Sequence, residues 1–191
     1  MNRKGLLVVI SAPSGGGKTT IIQKVLEAGN GNFRYSISAT TRPRRPNEVD
    51  GQHYYFMDRD TFMLKKERGE FVEWAEVHGD YYATPKAQLE SWLNEGNIVF
   101  LDVDVDGGLE IKKQYRDSSL LIFVKPPSLE SLVRRLKERK TESTAQINKR
   151  LERYPKELEK AAYYDYQMVN ENLQQTIQKV LDIVKQYQMK H

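Results

Sequence analysis

Two kinds of hydrophobic pattern alternate along the chain. Unbroken apolar runs stand at 5–11 (GLLVVIS), 97–105 (NIVFLDVDV) and 119–128 (SLLIFVKPPS). Runs of this length, rich in β-branched residues, read as strands buried on both faces. Helical spacing fills the intervals. Over 18–28 the apolar residues fall at 21, 22, 25 and 26, and Gly29 supplies a stop. Asp58 or Asp60 can cap a helix reaching Arg68 and closed by Gly69. Thr84-Pro85 opens another that extends to Glu95. Ser128 caps one extending to about 139, and a further helix spans 144–162, which Pro155 is expected to kink or divide. A short strand at 164–170 and a closing helix at 173–188 complete this part of the pattern.

Residues 35–85 break the alternation. Positions 35–57 are rich in Tyr, Thr, Ser, Arg and Pro, which suits strands and polar loops better than a core helix. The stretch EFVEWAEVHGDYYATP at 70–85 alternates through Gly79-Asp80, a hairpin signal. The fold class expected is α/β: a three-layer core with a parallel sheet (1–34 and 85–191) carrying a small β-rich insertion (35–84).

Length is consistent with this, since 191 residues suffice for one sizeable core. Thirty Lys and Arg against 26 Asp and Glu leave a net charge of +4, too weak to demand nucleic acid. The surplus is local, however. Positions 134–153 hold eight basic residues and three acidic ones, which reads either as a solvated helix face or as an anion clamp. The absence of cysteine excludes disulfides and thiolate metal sites, and the three histidines show no ligand spacing. The longest apolar runs are too short for a signal segment or a membrane span. A soluble cytoplasmic protein without membrane or nucleic-acid partners is the expectation, with monomer and homodimer both open.

Between the first strand and the first helix lies SAPSGGGKTT at 11–20, close to the phosphate-binding pattern G-x-x-x-x-G-K-[ST] but with Ala12 in place of the first glycine. Glycines allow backbone N–H groups to turn toward phosphate oxygens, and the helix N-terminus adds partial positive charge. Ala12, Pro13, Ser14, Gly15, Gly16, Gly17, Lys18, Thr19 and Thr20 are the expected ATP-binding residues, provided Ala12 keeps a negative φ. Lys18 would stand on the β- and γ-phosphates, and the Thr19 hydroxyl would bind Mg²⁺. Acids at the end of a neighbouring strand should complete the site. Asp102, Asp104 and Asp106 alternate after the run 98–101, so a continuing strand would turn all three to one face. Asp102 is the expected second metal ligand.

The phosphate loop does not name an acceptor. Arg42 and Arg45 lie three apart on a Pro-punctuated loop, where their planar forks can hold a monophosphate. Tyr54 and Tyr82 can add hydroxyl donors. Glu73 and Asp104 are acceptors suited to the N1–H and N2–H₂ edge of guanine. Adenine lacks that edge and would leave a buried carboxylate unpaired. Ser38 and Thr84 can offer hydroxyls to the base.

The segments ATTRPRRPNEVDGQHYYF, EFVEWAEVHGDYYATP and LDVD, with the phosphate loop and DYQMVNENL, resemble guanylate kinases, and the resemblance covers nearly the whole chain. It implies ATP-dependent phosphorylation of GMP with Mg²⁺, a helical lid at about 139–150, and GMP binding by Ser38, Arg42, Arg45, Tyr54, Glu73, Tyr82, Thr84 and Asp104. It also implies that Arg139 and Arg150 neutralise the transferring phosphoryl group together with Lys18 and Arg45. Asn170, after the short strand, reads either as a neighbour of the adenine of ATP or as a turn residue. Three positions depart from the family pattern: Lys140 replaces a glycine, Asp106 replaces a glutamine, and Pro155 interrupts a helix. Two other readings remain at this point: a non-catalytic phosphopeptide-binding module of the same fold, and a kinase acting on a phosphorylated sugar.

Overall fold

Every residue of the first strand, β1 (Leu6–Ser11), is buried. In the computed structural model, which describes residues 5–13, 16–29, 31–77, 79–138 and 144–190, β1 is the middle strand of a parallel sheet. Its neighbours are β7 (Ile98–Asp102) and β8 (Ser119–Lys125), with β2 (Phe33–Tyr35) and β9 (Tyr166–Val169) at the edges, in the order β2-β7-β1-β8-β9. Helices cover both faces, as an all-parallel sheet requires. Leu6, Val8 and Ile10 pack among Ile21, Ile22, Val25, Ile177, Val180 and Val184, on α1 (Lys18–Ala28) and α7 (Leu173–Lys190). The alternate residues Leu7 and Val9 pack on the opposite face with Leu89 of α3 (Lys86–Asn94) and Ile111 of α4 (Val105–Tyr115). Each such buried aliphatic side chain contributes roughly 1.5–3 kcal/mol of transfer free energy. The three-layer α/β architecture expected from the apolar runs is therefore present.

A second sheet of four short strands is formed by β4 (Tyr55–Phe56), β3 (Ala39–Thr40), β6 (Asp80–Pro85) and β5 (Phe71–Val77), in that order. β5 and β6 form the antiparallel hairpin signalled by Gly79-Asp80, and β3 pairs β6 antiparallel and β4 parallel. Its own small core is Phe62, Tyr81 and Ala83, with Phe62 brought in by α2 (Arg59–Glu67). Asp58 caps α2 by accepting from the Thr61 N–H at 2.7 Å, and Gly69 follows it at φ 67. Two further helices, α5 (Leu129–Glu138) and α6 (Thr144–Ala161), pack on each other through Leu132, Leu136 and Ile147.

Two sequence expectations need correction. α6 runs unbroken through Pro155, so of the expected kink or division the division does not occur. The ring lies on an exposed position, so it displaces no core side chain, while the backbone loses the hydrogen bond to the Leu151 carbonyl. The run of alternating aspartates is not a strand either. β7 stops at Asp102, opposite Ile10 of β1. Asp104 is then the N-cap of α4, accepting from the Gly107 N–H at 2.8 Å, and Asp106 lies in the first helical turn. The three carboxylates therefore do not share a strand face.

Candidate active site

The loop between β1 and α1 closes on itself through a 2.8 Å hydrogen bond from the Gly16 N–H to the Pro13 carbonyl. Gly17 caps α1 at φ 91, a conformation that favours glycine. A Cβ on Gly16 would stand 2.8 Å from the Ala12 Cβ and 2.9 Å from the Pro13 oxygen, too close to be accommodated without a shift. Among the described residues Arg116 is the one non-glycine with positive φ, so Ala12 sits in an ordinary conformation as the substitution requires. Ser14 and Gly15 lie outside the described residues. Asn170, buried beneath the loop, donates from Nδ2 to the Gly16 carbonyl at 3.5 Å and accepts from the Thr176 hydroxyl at 3.1 Å.

Lys18 folds back over the loop, donating to the Ala12 carbonyl at 3.1 Å and standing 3.7 Å from Asp102. Thr19 donates to Asp102 Oδ2 at 3.0 Å, while Thr20 is exposed. The structure thus brings together the hydroxyl and the carboxylate expected to hold a metal. Among the described residues no cluster of three or more His, Cys, Asp or Glu could hold an ion. Two oxygens beside a phosphate cradle suit Mg²⁺, which keeps several waters and takes its remaining ligands from substrate phosphates.

Across a cavity of about 290 Å³ from Lys18 lie Ser38, Tyr54, Glu73, Tyr82 and Asp104. Glu73, 7 % exposed on β5, accepts from the Thr84 hydroxyl at 2.6 Å. Burial pushes its carboxyl up to about 7, the charge of Asp104 adds to the rise, and the Thr84 hydrogen bonds oppose it. Gly107 crosses so near that a Cβ there would be 2.8 Å from Glu73 Oε2. Burial likewise raises the Tyr54 hydroxyl to about 12, so it remains a donor. Alternation along β6 sorts the two tyrosines. Tyr82 faces the cavity, whereas Tyr81 stacks on Phe62 in the small core with its hydroxyl bound by Arg59.

Arg42 and Arg45 precede this wall on the loop after β3. The Arg42 guanidinium lies 5.4 Å from the Tyr54 ring centre and donates to Glu48 at 2.7 Å. Arg45 is exposed, and its backbone N–H also donates to Glu48. The phosphate loop and the turn that carries Asp104 share a root. Tyr164 donates to the Ser11 hydroxyl at 2.8 Å, and Ser11 in turn donates to the Val103 carbonyl at 2.9 Å, tying the base of the phosphate loop to the turn that carries Asp104.

Leu132, Leu136, Arg153 and Glu157, from α5 and α6, close a further side of the same cavity. Arg139 and Lys140 lie outside the described residues. Arg150 falls within α6, with its side chain outside what is described. Asp106 points to α6, pairing with Lys160 at 2.6 Å. Three residues of this constellation escaped the sequence reading: Glu48, Arg153 and Glu157. Glu48 stands three residues after Arg45 and six after Arg42, a spacing visible in the sequence. Arg153 and Glu157 are i,i+4 neighbours, which a solvated helix face shows equally well.

The family model described as "Guanylate kinase" matches residues 4–187. A guanylate kinase of Thermotoga maritima is 46 % identical over 182 residues, covering 95 % of this chain and 87 % of that protein. One from Lactococcus lactis is 42 % identical over 185 residues, covering 97 % and 89 %. Among solved structures, the crystal structure of guanylate kinase from Anaplasma phagocytophilum superposes with a TM-score of 0.80 at 32 % identity, covering 97 % of this chain and 87 % of that one.

Proposed function

The chain belongs to the guanylate kinase family and phosphorylates GMP to GDP at the expense of ATP, and we propose which of its residues perform the reaction. The observation that supports the assignment is one cavity with two unlike walls: a phosphate loop with Lys18 on one, and Glu73 with Asp104 on the other. ATP lies along 12–20, its β- and γ-phosphates on the backbone donors of the loop and on Lys18. Asn170 supports the loop from below and borders the adenine. GMP lies against the second sheet. Glu73 and Asp104 accept from the guanine N1–H and N2–H₂, Ser38 and Thr84 add hydroxyls, and Arg42, Arg45, Tyr54 and Tyr82 hold the phosphate. The segment 35–84 acts as the acceptor-binding unit, and 139–150 as the lid.

An oxygen of the GMP phosphate attacks the γ-phosphorus in line, the bond to the β-phosphate oxygen breaks, and ADP leaves. The attacking oxygen is already anionic, so no general base is needed. Positioning and charge neutralisation by Lys18, Arg45, Arg139 and Arg150 carry the rate. Thr19 and Asp102 would hold Mg²⁺, which supplies charge to the β- and γ-oxygens. We place the enzyme in the cytoplasm, as its cysteine-free composition favours, acting as a monomer or homodimer.

ADP release with MgATP against GMP, AMP, UMP, dTMP and ribose bisphosphate tests the acceptor. GMP alone should support rapid turnover. Equal turnover with AMP or with the sugar phosphate would overturn the assignment of Glu73 and Asp104.

A further inference from the structure

We propose that Glu48 is a positioning residue for the acceptor phosphate: it clamps the Arg42 guanidinium and the backbone at Arg45 so that Arg42 and Arg45 address one phosphate. The inference rests on the placement of GMP given above. Glu48 uses its two oxygens on two different partners. Oε1 accepts from Arg42 Nη2 at 2.7 Å, and Oε2 accepts from the Arg45 backbone N–H at 2.8 Å. The Glu48 N–H returns a 3.0 Å bond to the Arg45 carbonyl, closing the turn. Arg42 is also held through Nη1, which donates to the Pro43 carbonyl at 2.7 Å, and by the rings of Tyr54 and Phe56 at 5.4 and 5.8 Å. Both members of the Arg42–Glu48 pair keep only 14 % of their side-chain surface exposed. A guanidinium has five N–H donors, and the contacts with Glu48 and Pro43 use two of them.

A carboxylate beside a phosphate seat works against the ligand by charge repulsion alone. Its presence there needs a compensating role, and the geometry supplies one. Arginine has about 2 kcal/mol of rotamer entropy to lose. A side chain already clamped on one edge loses less when the other edge meets phosphate. Burial works to raise the Glu48 carboxyl, but the Arg42 and Arg45 hydrogen bonds and charges outweigh it and hold it below the usual carboxylate range. The clamp is therefore ionised throughout the neutral range.

Glu48→Gln keeps the shape and one acceptor but removes the charge, and Glu48→Asp keeps the charge but shortens the reach. Calorimetric titration with GMP and with guanosine separates phosphate positioning from base binding. Glu48→Gln should weaken GMP roughly tenfold, the loss of one charge-assisted contact, with guanosine affinity, KM for ATP and melting temperature nearly unchanged. Glu48→Asp should fall between Glu48→Gln and the unaltered chain. Unchanged or tighter GMP binding by Glu48→Gln overturns the proposal. So does a loss shared equally by GMP, guanosine and ATP, which would mark a merely structural role. If the unaltered protein binds GMP no better than guanosine, the phosphate seat itself lies elsewhere and the assignment of Arg42 and Arg45 falls with it.

Discussion

The five-stranded and four-stranded sheets frame the cavity in opposite ways. In the first, strands buried along their length end in a loop shaped by Gly16 and Gly17 with Lys18 folded over it. In the second, side chains line the cavity: Glu73 from β5, Tyr82 from β6 and Tyr54 from a connecting loop, with Thr84 bonded to Glu73 and Arg42 against the Tyr54 ring behind them. Backbone donors suit any polyphosphate, so the first sheet is general. Side chains converging from several strands can match one base edge, which is why the second is proposed to be the selective one. The bond network through Tyr164, Ser11 and Val103 ties the base of the phosphate loop to the turn that carries Asp104.

Substitutions confined to one wall should therefore affect one nucleotide. The largest effect is expected for Lys18→Ala. Removing a preorganised cation from the transferring group should lower kcat by roughly 10²–10³-fold, and GMP affinity measured by calorimetry should stay nearly constant. A parallel loss of GMP affinity would show that the walls are not separable.

A single added methyl group offers a more delicate comparison. Gly16→Ala places a Cβ against Ala12 and Pro13, while Gly107→Ala places one 2.8 Å from a Glu73 oxygen. Each should cost its own nucleotide about tenfold in KM, ATP for the first and GMP for the second. Steady-state kinetics with each substrate varied in turn will show whether the losses cross over.

The smallest effect is a proton. Glu73 titrates near 7 in the folded chain, with Thr84 and Asp104 as its neighbours. A carboxyl raised in this way favours the folded state most fully below its unfolded value. That contribution is lost as the pH climbs through about 7. Guanine donors require the ionised form, so guanosine affinity should rise between pH 5.5 and 8, with release of up to about one proton below pH 7. Titrations in buffers of differing ionisation enthalpy measure that release, and Glu73→Gln should abolish it. Guanosine is the probe of choice because the phosphate of GMP titrates near 6 itself.

Much of the architecture was legible because local signals agreed with tertiary demands. The capped helix between Asp58 and Gly69 and the hairpin at Gly79-Asp80 each carry their own stop and turn residues. The Asp-Val alternation after 101 misled because it suits both an exposed strand and a capped helix start. Pairing decided the matter, since the register with β1 ends at Asp102 and leaves Asp104 to cap α4. Pro155 does not divide its helix for a different reason: a helix anchored by Leu151 and Tyr154 against α5 tolerates a missing hydrogen bond at an exposed position. In the site, residues that project from a motif were legible. Glu48, which acts on other side chains, and Arg153 and Glu157, which reach the cavity only once α6 folds over it, were not.

The central claim is that one wall takes the phosphoryl donor and the other selects its acceptor. Titration of the Glu73→Ala protein with ATP and GMP tests it most directly. The account predicts GMP weakened roughly 100-fold, as expected for a base edge that loses its buried charged acceptor, with ATP affinity held within about twofold. GMP bound as tightly as before, or both nucleotides weakened alike, would contradict it.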